Sequence, residues 1–133
     1  MNKHLRQMIW ERARGRCEYC LLRQEHEPFI PLQLEHIIAK QHQGGDEPEN
    51  LALACLLCNS HKGSNLTGLD PDTGQVTRLF HPRRDAWHSH FRRDGALIIG
   101  CTDVGRTTVW LLQMNDVERI ELRHFLLESG ELL

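Results

Sequence analysis

The chain has 133 residues, of which 40% are hydrophobic and 26% charged, with a formal net charge of −2 and five cysteines. It lacks any run of about 18 apolar residues, which excludes a helical membrane span, and Met1 to Ile9 mix Lys3, His4, Arg6 and Gln7 among apolar residues, unlike a signal peptide. These bounds predict a cytoplasmic protein of one domain over residues 1–133, small enough for a structural metal to help stabilise it, with cysteines held as thiolates rather than disulfides.

Leu5, Met8, Ile9 and Ala13 recur at helical spacing, so residues 3–14 are expected to form an amphipathic helix stopped by Gly15. A knuckle at Cys17 to Cys20 follows, then loop through Pro28 and Pro31. Strands are expected at Gln33 to Ala39 and Leu51 to Ala54, joined across Gly44-Gly45 and Pro48. A helix from about Cys58, ending near Gly63, would carry Asn59 and Lys62 on one face. Asp70-Pro71-Asp72-Thr73-Gly74 is turn chemistry, and Gln75 to Phe80 alternates as a strand. Further on come a strand at Ala96 to Ile99, with Cys101 as a small buried hydrophobe, and a helix over Val104 to Met114. The Asn115/Glu118 spacing suggests a capping box, starting a helix from Asp116 whose Val117, Ile120, Phe125 and Leu126 face the core.

Charge is unevenly placed. Lys3, Arg6, Arg12, Arg14 and Arg16 face only Glu11 in residues 1–16, Arg78, Arg83, Arg84, Arg92 and Arg93 face only Asp85 in residues 78–93, and acidic residues predominate from Asn115 onward. Such a split could give one face suited to a polyanion.

Cys17-x-x-Cys20 and Cys55-x-x-Cys58 are two pairs whose sulfurs can converge tetrahedrally at about 2.3 Å from zinc. Four sulfurs leave no coordination position for water, so the expected role is structural. Iron suits the same ligands, and spacing does not choose between them.

Between the knuckles lie Leu34-Glu35-His36-Ile37-Ile38, Gly44-Gly45 and Asn50-Leu51, and Cys58 runs directly into Asn59-Ser60-His61-Lys62. In this combination the chain resembles the HNH endonuclease family, in its branch with a four-cysteine zinc support, over about Arg14 to Leu66. The stretch Leu66 to Phe91, including Leu69-Asp70-Pro71, Phe80-His81-Pro82-Arg83 and Trp87, resembles tails of small stand-alone bacterial members. The resemblance implies an α+β fold with a ββα-metal core over about 14–66, flanked by an N-terminal helix and, over 67–133, by supporting strand and helix elements.

It also implies an endonuclease that nicks or cleaves DNA, leaving a 5′-phosphate and a 3′-hydroxyl. His36 would be the general base, because neutral imidazole can take a proton from water near pH 7. Glu35 and Asn59 would supply oxygen ligands to a catalytic Mg²⁺ or Mn²⁺, Asn50 would hold the hairpin loop by side-chain to backbone hydrogen bonds, and Lys62, Arg83 and Arg84 would meet substrate phosphates. Glu35 and His36, adjacent on one strand, can address one site only if the strand twists or bulges. The alternative is a zinc-stabilised nucleic-acid-binding module without catalysis. A rubredoxin-like iron carrier leaves Glu35, His36 and Asn59 without a task.

Overall fold

The computed structural model describes residues 2–132 and places them in two compact units, residues 2–66 with His81–Ala86, and Thr67–Phe80 with residues 87–132. No helix among the described residues is long and apolar enough to cross a membrane.

The first unit begins with α1 (Lys3–Ala13), whose start is capped by the Asn2 side chain accepting from the Leu5 amide at 2.7 Å. Arg14 (φ 58°) and Gly15 (φ 63°) both turn left-handed and end it. Ile9 and Ala13 are its buried residues, whereas Met8 is exposed. From the last turn Arg12 donates to the carbonyls of Leu51 (2.6 Å) and Pro48 (3.0 Å), strapping the helix to the second strand.

That strand, β2 (Leu51–Ala54), pairs antiparallel with β1 (Gln33–His36) in the register Gln33 to Ala54 through His36 to Leu51. All four β2 residues are buried, between α1 and the rest of the hairpin. β1 is shorter than the Gln33 to Ala39 span expected, because beyond His36 the backbone of Ile38 bonds to the Asn50 side chain instead of to a strand. Next comes α2 (Leu56–Lys62), packed on β1. It starts two residues earlier than its sequence suggests, since Cys55 is its N-cap, the sulfur accepting from the Cys58 amide at 3.4 Å.

The second unit holds two hairpins and three helices. β3 (Thr67–Leu69) and β4 (Val76–Arg78) flank the Asp70 to Gly74 turn, where Asp70 Oδ1 accepts from the Asp72 amide and Gly74 takes φ 72°. α3 (Trp87–His90) leads into β5 (Phe91–Asp94), which turns through Gly95 into β6 (Leu97–Gly100). Phe80, Phe91 and Trp87 pack ring to ring here, with centroids about 5 Å apart. The helix α4 (Asp103–Leu111) tolerates Gly105 because a Cβ there would lie 2.0 Å from the His90 carbonyl.

Three expectations fail in this unit. Asp116, not Asn115, caps α5 (Val117–Glu128), while Asn115 pairs with both backbone groups of Ile98. Val117 and Phe125 are exposed, whereas Arg119 and Arg123 are buried; Arg119 donates to the Leu112 carbonyl and Arg123 to those of Ala96 and Met114. Guanidinium groups that satisfy buried carbonyls outcompete apolar side chains for that face. Cys101 is exposed, directly after β6.

Candidate active site and metal centre

Cys17, Cys20, Cys55 and Cys58 are all buried, with their sulfurs within 4.8 Å of one another and the Cys20 and Cys55 sulfurs 3.7 Å apart. A tetrahedron with arms of about 2.3 Å has edges of about 3.8 Å, so the cluster is sized for zinc. The amides of Cys20 and Cys58 point at the sulfurs of Cys17 and Cys55, as in a metal knuckle. Burial drives the Cys17 thiol up, and neighbouring thiols drive Cys58 up and hold Cys20 and Cys55 down. A dication at their centre would be held by all four as thiolates. Among the described residues this is the one cluster of three or more Cys, His, Asp or Glu side chains spaced to hold an ion.

β1 carries the next layer. Its regular pairing has no bulge, so neighbours alternate faces. Glu35, only 3% exposed, turns inward, where Oε2 accepts from the Tyr19 hydroxyl at 2.7 Å and Oε1 lies 2.6 Å from Lys62 Nζ. Lys62, 2% exposed, also donates to the Ile37 carbonyl at 2.8 Å. Two expectations are thereby corrected. Glu35 is held in a buried ion pair and does not present its oxygens to a catalytic cation, and Lys62 braces β1 from beneath and does not reach a phosphate. Burial pushes the Glu35 carboxyl up, and Lys62 and Tyr19 pull it back.

His36 ends β1 half-buried, with Nε2 2.7 Å from Asp46 Oδ1. Lys40 Nζ lies 3.7 Å from the same oxygen. The His36 ring and then Lys40 hold the Asp46 carboxyl below the usual carboxylate range. Buried Asn50 organises the loop between them: Nδ2 donates to the carbonyls of Ile38 (2.9 Å) and Gly45 (2.8 Å), and Oδ1 accepts from the Ile38 amide at 2.9 Å. Gly44 is required at the crossing, since a Cβ there would stand 1.7 Å from the Ile38 carbonyl oxygen. On α2, Asn59 Nδ2 donates to Gln33 Oε1 at 2.6 Å, and the exposed His61 bonds the Leu57 carbonyl through Nδ1.

Residues 17–65 match the family described as HNH endonuclease. This segment is an HNH endonuclease domain. Curated proteins include no match to the chain. The HNH match spans the hairpin, the helix and both cysteine knuckles, the parts that the geometry ties together.

Within the HNH domain the structure gathers His36 and Asn50 around one loop, while Asn59 stands on α2 against Gln33. Arg83, in the segment that rejoins this unit, is ion-paired with Glu18 and largely withdrawn from solvent, which corrects its expected role at a phosphate. Glu18 in turn accepts from the Leu53 amide at 2.8 Å, so the pair buttresses the first knuckle and β2. Arg84 remains exposed. Asp46, Tyr19 and Gln33 were missed from sequence. An acid just past Gly44-Gly45, in the loop between His36 and Asn50, was the signal available for Asp46; nothing local marks Tyr19 as the partner of Glu35.

Proposed function

We propose that the chain is an endonuclease that hydrolyses phosphodiester bonds of DNA, nicking or cleaving it, with His36 as general base. The observation carrying this reading is the His36 ring held by a carboxylate at 2.7 Å, at the end of a hairpin strand inside a segment that matches HNH endonucleases. An imidazole so oriented can take a proton from water as the water oxygen bonds to phosphorus and the opposite P–O bond breaks. Asn50 keeps the loop rigid around the ring, which limits the reorganisation needed at the moment of proton transfer.

A hard divalent cation, Mg²⁺ or Mn²⁺, would supply charge to offset the scissile phosphate. Asn59 Oδ1 is the oxygen this chain offers it, because Nδ2 is the atom bonded to Gln33. The exposed Arg84 is the cation of the expected set left to meet a backbone phosphate. Incubation with supercoiled plasmid in Mg²⁺ or Mn²⁺ tests the reading: wild type should nick, and His36→Ala should not. Equal nicking by both would sink the assignment of the base.

The burial of Glu35 against Lys62 favours a second reading, a zinc-stabilised nucleic-acid-binding module without catalysis, since it removes the acidic ligand expected beside the base. That reading requires salt-sensitive DNA binding and no cleavage in any divalent metal.

A further inference from the structure

Glu35 is the acid adjacent to His36 in sequence, yet the acid beside the His36 ring in space is Asp46, ten residues on. Near neutral pH a carboxylate accepts hydrogen bonds and has none to donate, so the ring nitrogen 2.7 Å from Asp46 must be the one that carries hydrogen. A neutral imidazole has a single N–H. With Nε2 as donor, the lone pair lies on Nδ1.

We propose that Asp46 is a positioning residue for His36, fixing the Nε2–H tautomer so that Nδ1 is the basic nitrogen turned to the attacking water. The inference rests on His36 being the base and adds which of its atoms acts and what selects it. Two further features support it. Asn50 bonds the carbonyl of Gly45, next to Asp46, and both backbone groups of Ile38, two residues past His36, so one buried amide sets the spacing of the two partners. The Asp46 side chain is exposed and ionised at neutral pH, hence an acceptor only, and Lys40 Nζ lies 3.7 Å from the same oxygen that faces His36. Once Nδ1 has taken a proton, the Asp46 charge stabilises the imidazolium, as the carboxylate of a hydrolase triad does.

The test reads the tautomer directly. In the zinc-loaded full chain, labelled with ¹⁵N at histidine, long-range ¹H–¹⁵N correlation at a pH where His36 is neutral should show the Nε2–H pattern for His36, with the signal assigned by its loss in His36→Gln. Asp46→Ala should convert this to a mixture of tautomers, and Asp46→Asn, which keeps an acceptor oxygen, should retain Nε2–H. Asp46 is more than half exposed, so both variants should fold, and their zinc content checks this. With plasmid substrate, Asp46→Ala should lower kcat on the order of 10- to 100-fold with little change in KM. An Nδ1–H pattern in the wild type, or an unchanged pattern in Asp46→Ala, overturns the proposal. So does an Asp46→Ala defect repaired by raised Mg²⁺ with the tautomer unaltered, which would make Asp46 a cation ligand. If His36→Ala nicks like wild type while the tautomer results hold, the assignment of His36 as the base fails and only the pairing stands.

Discussion

Replacing Lys62 with Met isolates the Glu35 carboxylate in the floor of the hairpin. At 2.6 Å, and with an effective dielectric near 20, the pair attracts by about 6 kcal/mol. Much of that offsets the cost of taking both ions out of water, so the pair contributes little over an apolar substitute, but stranding one partner costs about 3 to 5 kcal/mol. The Ile37 carbonyl would lose its donor as well. Urea unfolding of the zinc-loaded chain, followed by hydrogen exchange at β1 and β2 amides, should register this loss for Lys62→Met at pH 7, and Glu35→Gln/Lys62→Met should regain most of it. The sign with pH follows from burial, which already raises the Glu35 carboxyl and would raise it further without Lys62. A carboxyl whose folded value lies above its unfolded one favours the fold when protonated, so the deficit of Lys62→Met should shrink as pH falls from 7 towards 5. A loss under about 1 kcal/mol, or a double variant no better than the single one, refutes the buried-pair reasoning.

Two further outcomes are expected. Cys58→Ser should release zinc to a chromogenic chelator and unfold the first unit, since Cys58 is wholly buried in the cluster; retention of both the fold and plasmid nicking would contradict a structural metal. In the second unit the Arg106 guanidinium holds the Asp70 carboxyl at about 2 against an ordinary 3.8. Its stabilising effect is complete above the ordinary value and is lost as pH falls towards 2, so thermal unfolding of the wild type should decline over that interval and Arg106→Met should decline less.

What was legible in the sequence was whatever depends on short-range spacing. The cysteine pairs, the first helix and β2 lie where their patterns place them, because a knuckle, an amphipathic turn and a run of small apolar residues are set locally. The cysteine cluster could be foreseen even though Cys17 and Cys58 lie far apart along the chain, since thiolates in two such pairs share one natural partner. Glu35 was misassigned because its neighbours in space, Tyr19 and Lys62, come from the first knuckle and the far end of α2, and strand alternation turns it away from His36. Phe91 to Asp94 did not stand out as a strand, since Arg92 and Arg93 hide its alternation and its stability comes from pairing with β6. The buried face of α5 was misread for a related reason: an arginine counts as surface until the carbonyls that accept from it are known.

The Arg83–Glu18 pair joins positions 65 residues apart, and the chain leaves the first unit at Thr67 and rejoins it only at His81. A nascent chain emerging from a ribosome can therefore close its cysteine cluster once Cys58 is free, but cannot complete this unit until the intervening hairpin and Arg83 have followed. Such long closure favours a late step in folding, after the local helix and hairpin have formed. In the interval the Glu18 backbone and carboxylate can already bond Leu53 of β2, while the carboxylate still waits for its cation.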